Sequence, residues 1–538
     1  RDNNNGNRNL GDIVNSPIVA VGEYLATSAN DGMVHIFKQS GGDKRSYNLK
    51  LSYIPGTMPR KDIENKDSTL AKELRAFAEK GYVGDRYGVD GGFVLRRITD
   101  DQDKQKHFFM FGAMGLGGRG AYALDLTKAE NGDPTAVSLF DVKHDNNGKN
   151  SNNSVQLGYT VGTPQIGKTH DGKYAAFLAS GYATKDIDNS ENKTALYVYD
   201  LESSGTLIKK IDVPGGKGGL SSPTLVDKDL DGIVDIAYAG DRGGNMYRFD
   251  LSGQDPNQWS VRTIFSGNKP ITSAPAISQL KDKRVVIFGT GSDLSEEDVD
   301  SKEIQHVYGI FDNDTDTGTA QDGQGKGLLE QKLEKDKDGK TLFLSDYKRS
   351  DGSGDKGWVV KLEAGQRVTV KPTVVLRTAF VTIHKYTGND KCGAETAILG
   401  INTADGGKLT KKSARPIVPA DNTAVAQYSG HKKTSSGKSI PIGCMEKDNG
   451  IVCPNGYVYD KPVNVRYLDE KKTDGFSTTA DGDAGGSGTF KEGKKPARNN
   501  RCFSRKGVRT LLMNDLDSLD ITGPMCGMKR ISWREVFY

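Results

Sequence analysis

The sequence predicts an all-β propeller, and three observations point to it. Breakers are dense, with 66 Gly and 18 Pro among 538 residues, which implies many turns and few long helices. A short Pro-led opener recurs along the chain. An aromatic strand signature then follows each opener in the same order, and recurrence of one ordered unit is the mark of a repeat architecture.

The opener is a small or polar residue, then Pro, then an apolar strand. It stands at Ser16-Pro17-Ile18-Val19, Thr163-Pro164-Gln165-Ile166, Ser222-Pro223-Thr224-Leu225, Ala274-Pro275-Ala276-Ile277 and Lys371-Pro372-Thr373-Val374, with a degenerate copy at Asp90-Gly91-Gly92-Phe93-Val94. Pro is tolerated at the start of a strand because its missing N–H is not needed there.

The closing signature is a Gly-rich turn leading into alternating aromatic and aliphatic residues, usually ending in Asp. Its copies are Val34-His35-Ile36-Phe37, Ala121-Tyr122-Ala123-Leu124-Asp125, Leu196-Tyr197-Val198-Tyr199-Asp200, Met246-Tyr247-Arg248-Phe249-Asp250 and Val307-Tyr308-Gly309-Ile310-Phe311-Asp312, with a weaker one at Ile398-Leu399-Gly400-Ile401-Asn402. Period-two alternation of such residues is a strand pattern. Each unit therefore reads strand, turn, strand, turn, strand, with room for one more. Tyr197 and Tyr247 stand 50 residues apart, which matches one four-stranded propeller blade; His35 and Tyr122 stand 87 apart, which implies a blade with an inserted loop.

Six units are visible. Gly507 to Met513 and Ile531 to Val536 supply candidate strands for a seventh, giving one propeller domain over residues 1–538 with insertions near 56–85 and 420–505. An irregular β-sandwich would not repeat opener and closer in fixed order. Within the first insertion, Leu70, Leu74 and Phe77 fall at helical spacing between Ser68 and Gly81, which predicts a short amphipathic helix. Residues 141–155 are Asn-rich and read as a mobile loop. Thr478 to Pro496 is rich in Gly, Asp and Lys and reads as flexible.

Charge gives little reason to expect nucleic acid as a partner, since 74 basic residues face 70 acidic ones. No apolar run approaches the roughly 18 residues of a membrane-spanning helix. The chain opens on Arg1-Asp2-Asn3-Asn4-Asn5, polar from the start, and reads as a mature fragment of something longer. The five Cys are well spaced, without a CxxC pair, which favours disulfides and an extracellular setting over metal ligation. Cys444 and Cys453 bracket an eight-residue loop and are the most plausible pair.

The sharpest local pattern is Asp227-Lys228-Asp229-Leu230-Asp231-Gly232-Ile233-Val234-Asp235. Calcium takes about six to eight oxygens, and this loop offers carboxylates at its first, third and fifth positions. Gly232 at the sixth position permits the bend, Ile233 offers a backbone carbonyl, and Asp235 adds a carboxylate at the ninth. An EF-hand closes with Glu at the twelfth position; here Tyr238 stands there inside a β pattern, so no flanking helix is expected. The alternative is an acidic solvated turn, but crowded carboxylates repel without a cation. Magnesium fits less well, since it demands near-ideal octahedral geometry. The run Asp312 to Gly318 brings its Gly one residue late, and Asp186 to Glu191 lacks one; both read as turns.

Other signals fail. Gly437-Lys438-Ser439 lacks the Gly spacing and leading strand of a phosphate loop. No HExxH, Cys/His cluster or GxSxG elbow occurs. His35 and His306 lie beside or in closers and read as strand residues.

Taken in order, the openers, Ala29 to Phe37, Gly117 to Asp125, and the Asp loop followed by Gly240-Asp241-Arg242-Gly243-Gly244-Asn245 resemble the C-terminal domain of the PilC/PilY proteins of type IV pili. The resemblance runs over essentially the whole chain. Pro496 to Cys502 and Ile531 to Val536 are similar to the neisserial PilC branch. The resemblance implies a modified, about seven-bladed quinoprotein-like propeller. It also implies a place at the pilus tip or outer membrane, and roles in pilus assembly and host-cell adhesion. Its partners would be pilins or minor pilins and a host-cell receptor. It further implies that calcium held by Asp227, Asp229, Asp231, Asp235 and the Ile233 carbonyl regulates pilus extension against retraction. The first expectation is thus a non-enzymatic calcium-binding module. A quinone-dependent dehydrogenase shares the propeller, but this chain has no adjacent Cys and only three Trp. A lectin-like module is the third reading, and nothing in the sequence marks a sugar site.

Overall fold

The structure is a computed structural model. It describes residues 10–409 except 42–45, 82–85, 146–153, 186, 188–190, 316–317, 324–326, 336–341, 350–352, 376 and 388–392, together with 485–492 and the short strands Arg415–Pro416, His431–Lys433, Ser439–Pro441, Met445–Lys447, Gly450–Val452, Val463–Arg466, Val508–Leu512 and Leu519–Thr522. The chain divides into two compact units. The first comprises Arg1–Ala274, Thr473–Thr478 and Gly482–Pro496; the second comprises Pro275–Lys472, Thr479–Asp481 and Ala497–Tyr538.

In the first unit the chain lays down four consecutive antiparallel meanders. Sheet one runs Val19–Val21, Tyr24–Ser28, Val34–Gln39 and Tyr47–Tyr53. Sheet two runs Phe93–Thr99, Gln105–Ala113, Gly120–Asp125 and Ser138–Lys143. Sheet three runs Gln165–Lys168, Tyr174–Ala179, Ala195–Asp200 and Leu207–Asp212. Sheet four runs Thr224–Val226, Ile236–Gly240, Asn245–Asp250 and Ser260–Ser266. The second unit repeats the pattern. Sheet five runs Ala276–Gln279, Arg284–Gly289, His306–Asp312 and Gly357–Lys361, with Leu328–Gln331 added in parallel. Sheet six runs Thr373–Val375, Thr378–Thr387 and Gly393–Asn402.

Successive sheets share their cores. Leu95 and Met110 of sheet two pack with Ala26 and Ile36 of sheet one, while Phe109 and Phe111 pack with Ile166 and Tyr197 of sheet three. Phe177 and Val198 of sheet three pack with Leu225 and Phe249 of sheet four. In the second unit Val285 and Trp358 of sheet five pack with Val381 and Leu399 of sheet six. Middle strands are consequently buried on both faces, as along Tyr174–Ala179 and Ala195–Asp200. Each fully buried large apolar side chain contributes about 1.5–3 kcal/mol.

Every Pro opener directly precedes or begins the approach to the first strand of a sheet, and Phe93 of the degenerate copy starts sheet two. The closers are the third strands, and the room left for one more is filled in sheets one to five by a fourth strand. The Asp at their ends has a local task. Asp125, Asp200 and Asp250 each accept from the amide two residues on (Thr127, Glu202, Ser252), and Asn402 does the same for Ala404. Such side-chain turns reverse the chain at the strand end.

Four expectations are corrected or completed. The helix spans Leu70–Lys80 and is capped by Thr69, next to Ser68, where the strand Asp67–Thr69 paired with Pro59–Lys61 ends; Thr69 Oγ1 accepts from Lys72 N, and Gly81 closes the helix at φ 84°. Asp141 to Lys143 are not loop: they belong to the outer strand of sheet two, where the side chain of Asp141 accepts from Tyr53 Oη at 2.9 Å. Within the stretch read as flexible, Gly488–Lys491 forms a strand parallel to Phe93–Thr99, since Phe490 has an apolar site to fill. Val508–Leu512 does form a strand, between Val463–Arg466 and Leu519–Thr522, with Arg415–Pro416 at the far edge. That sheet does not follow the sequential meander of the other six. Cys444 and Cys453, and the stretch Ile531 to Val536, lie outside the described residues.

Candidate metal centre

The Asp-rich loop joins the first two strands of sheet four. Val226 pairs with Ile236, and the amide of Asp235 donates to Val226 O at 2.9 Å, so the ladder holds both ends of a nine-residue excursion. Two left-handed positions fold it: Leu230 at φ 61° and Gly232 at φ 90°. Glycine adopts that region without a Cβ penalty, which is why the bend falls at the sixth position.

Inside the loop the carboxylates organise the backbone. The Gly232 amide donates to Asp227 Oδ2 at 2.7 Å and the Asp231 amide to Asp227 Oδ1 at 3.2 Å. The Ile233 amide donates to Asp231 Oδ1 at 2.8 Å, and the Lys228 amide to Asp235 Oδ2 at 2.7 Å. Neighbouring sheet three braces the far side: Val234 N donates to Lys168 O at 2.8 Å, and Lys168 and Ile233 form a parallel bridge.

Three of the expected ligands converge. One carboxylate oxygen from each of Asp227, Asp229 and Asp235 lies within 4.8 Å of the others. Asp227 and Asp235 are buried and Asp229 faces solvent, so the cluster has a protected floor and an open side. Asp231 lies outside this trio, its Oδ1 serving the Ile233 amide. Burial pushes the Asp227 carboxyl up to about 7; the charges of Asp231 and Asp235 and a hydrogen bond with Asp229 act the same way, against the Gly232 amide. Asp231 is also raised, chiefly by burial and then by the Asp229 and Asp235 charges. An all-oxygen donor set under mutual repulsion fits a hard divalent cation, which would neutralise the charge that burial and crowding oppose.

The sequence reading missed two participants. His170, in the turn between the first two strands of sheet three, places Nε2 2.7 Å from Asp235 Oδ1. Phe490 packs over Gly232: a methyl group built on Gly232 would lie 3.0 Å from Phe490 Cε2. Neither carries a local signal, because each arrives from another part of the chain.

His35 and the described part of the run Asp312 to Gly318 read as structure, while most of Asp186 to Glu191 lies outside the described residues. His35 is buried in sheet one between Asp31 Oδ2 and Ser52 Oγ, at 2.9 and 2.8 Å, and Asp31 also accepts from the Gly11 and Met33 amides, holding the turn. In the turn after sheet five's third strand, Asp314 Oδ1 accepts from Arg284 Nη2 at 2.8 Å.

A family model described as the PilY1 beta-propeller domain matches residues 10–348, which include the Asp loop. The chain belongs to that family. It is 30% identical over 371 residues to a type IV pilus biogenesis factor PilY1 of Pseudomonas aeruginosa strain PAO1, a match covering 57% of this chain and 29% of the relative. It is 28% identical over 319 residues to a PilY1 homolog of Xylella fastidiosa, covering 54% of this chain and 19% of the relative. The chain thus spans less than a third of the length of these curated relatives. Among solved structures it is similar to the crystal structure of the Pseudomonas aeruginosa PilY1 C-terminal domain, with a TM-score of 0.59, 20% identity, and 93% of this chain and 92% of that one covered. At that identity the likeness speaks for the fold. The PilY1 propeller family therefore accounts for the repeated meanders, and the PilC/PilY resemblance of the sequence holds at family level.

Proposed function

We propose that this chain is a calcium-binding propeller module of a type IV pilus biogenesis factor, acting without enzymatic chemistry at the cell surface, at the pilus tip or outer membrane. The observation that carries the calcium reading is the convergence of Asp227, Asp229 and Asp235 within 4.8 Å. Asp231 and the Ile233 carbonyl are the further ligands that the nine-residue spacing offers. The pilus reading rests on the family and on relatives named as pilus biogenesis factors.

An ion in the loop would replace carboxylate repulsion by attraction and stiffen the link between the first two strands of sheet four. At free calcium about a hundredfold above Kd, binding stabilises the folded chain by about 2.7 kcal/mol. Loop occupancy would then bias how this face engages pilins or minor pilins, shifting the balance of pilus extension and retraction, and would support adhesion to a host-cell receptor. No observation on the described residues favours the quinone-enzyme or lectin-like readings.

Calorimetric titration of the purified chain with calcium tests the site. Heat of binding that disappears in Asp227→Ala and Asp229→Ala is the expected result; a flat wild-type titration refutes it. Pilus extension and retraction measured in cells carrying the same substitutions test the role, and unchanged behaviour would remove the regulatory reading.

A further inference from the structure

The candidate metal loop has a wall made by a distant part of the chain. Gly488–Lys491 pairs in parallel with Phe93–Thr99 of sheet two, matching Gly488 to Arg96 and Lys491 to Thr99. The segment is pinned at both ends. Ser487 Oγ accepts from Leu95 N at 3.0 Å, and Glu492 N donates to Thr99 O at 2.7 Å. Lys106 Nζ donates to Glu492 Oε2 at 2.5 Å. From this strand Phe490 turns into the core between sheets two and three, 7% exposed, edge-on to Tyr174 with ring centroids 5.8 Å apart. Its Cε2 and Cζ lie 3.0 and 3.2 Å from where a Cβ on Gly232 would stand.

Gly232 is also the bend of the loop, and its amide binds Asp227 Oδ2 at 2.7 Å. Phe490 therefore rests on the residue whose position the carboxylates set. Opening the loop moves Gly232 and takes away the surface that Phe490 covers; withdrawing Phe490 uncovers the bend on which the Asp227 carboxylate is fixed.

We propose that the segment 485–492 and the Asp loop form one two-state element, so that calcium occupancy and docking of the segment on sheet two reinforce each other. The proposal rests on the calcium reading above. Its physical content is reciprocity: whatever the ion adds to docking, docking adds to ion affinity by the same factor. Filling the loop would then control the placement of a strand that is more than 250 residues away in sequence.

The test uses the whole chain and two readouts. Amide hydrogen exchange over 485–492 is measured in chelator and in excess calcium, and calcium affinity is measured by calorimetry for wild type, Phe490→Ala and Ser487→Ala. Ser487 accepts from Leu95 N of sheet two, and of the segment only Phe490 comes within 4 Å of a Cβ on Gly232, so the Ser487 variant loosens the strand while sparing the bend. Slower exchange over 485–492 with calcium, and affinity at least about fivefold weaker in Phe490→Ala with a smaller loss in Ser487→Ala, is the expected result. Exchange that ignores calcium, or variants that bind it with wild-type affinity, overturns the coupling while leaving the calcium site standing. A wild-type titration without heat overturns both readings and is told apart from the previous result by that titration alone.

Discussion

His170 Nε2 lies 2.7 Å from Asp235 Oδ1, joining the turn of sheet three to the closing carboxylate of the loop in sheet four. Against a carboxylate the imidazole nitrogen acts as donor, so it fixes the rotamer of Asp235 while the Lys228 amide holds the other oxygen. Groups that orient a ligating carboxylate are worth about 10–100-fold in metal affinity. His170→Ala is expected to weaken calcium binding by about tenfold without unfolding the chain. Calorimetry alongside far-ultraviolet circular dichroism checks this, and unchanged affinity would remove His170 from the site.

Asp227 is the buried end of the carboxylate cluster, and its two oxygens take the Asp231 and Gly232 amides. Asp227→Asn keeps one acceptor for those amides and removes one negative charge. Two opposite outcomes follow from one substitution. Calcium binding should be lost, while in chelator the variant should melt no lower than wild type, because repulsion with Asp231 and Asp235 is relieved. Paired melting curves with and without calcium give the answer; a variant that melts lower in chelator would show that the Asp227 charge holds the fold by itself.

Glu73 is the buried anchor of the helix Leu70–Lys80. Its Oε2 meets Arg60 Nε, and its Oε1 lies 2.6 Å from Arg86 Nη2. Arg60 also donates through Nη1 to Gly117 O at 3.0 Å, so the carboxylate ties helix, hairpin and sheet-two turn together. Removing one member of a buried ion pair leaves charge without compensation, at about 3–5 kcal/mol. Glu73→Gln is expected to lower stability by an amount in that range, read from urea unfolding; a loss below about 1 kcal/mol would reduce the cluster to surface-pair strength.

His107 supplies a pH test away from the loop. Its ring lies 3.3 Å from Asp125 Oδ2 and 3.1 Å from Glu202 Oε1, and stacks on Phe109 with centroids 4.7 Å apart. The hydrogen bond to Asp125, followed by the charges of Asp125 and Glu202, raises its pKa above the ordinary 6.5. A raised folded-state pKa means the folded chain binds the proton more tightly than the unfolded one. The contribution is therefore fully present below pH about 6.5 and lost as pH rises through the higher folded value. His107→Gln should destabilise the chain at pH about 5.5 and do so less at pH about 8.5. Equal loss at both values would mean that packing on Phe109, not charge, is what His107 provides.

Much of this was legible because the signals are local. The Pro openers mark first strands, since a strand's first residue can dispense with its N–H, and the aromatic closers mark third strands, which are buried on both sides and so must be apolar throughout. The outer strands were not legible. Tyr47–Tyr53 exposes Asn48, Leu49 and Lys50, and Leu207–Asp212 carries Lys209 and Lys210 side by side, the latter laid over the Tyr197 ring, so no apolar pattern announces them. At the candidate site the Asp spacing and Gly232 were readable, because one loop makes its own geometry. His170 and Phe490 were not, because only the packing of sheets and the return of a distant strand bring them there. Phe490 is the single large apolar residue in Gly488–Lys491, too little to mark a strand by composition.

The parallel pairing of Gly488–Lys491 with Phe93–Thr99 also orders events in time. A polypeptide emerging from its N-terminus completes sheet two's own four strands when residue 143 is out, yet the inner edge at Phe93–Thr99 gains its last neighbour only after a further stretch of nearly 350 residues. Until then an open row of amides and carbonyls is available to any passing strand. A nascent or truncated chain ending before residue 488 would keep that edge open and offer it to pairing with another chain.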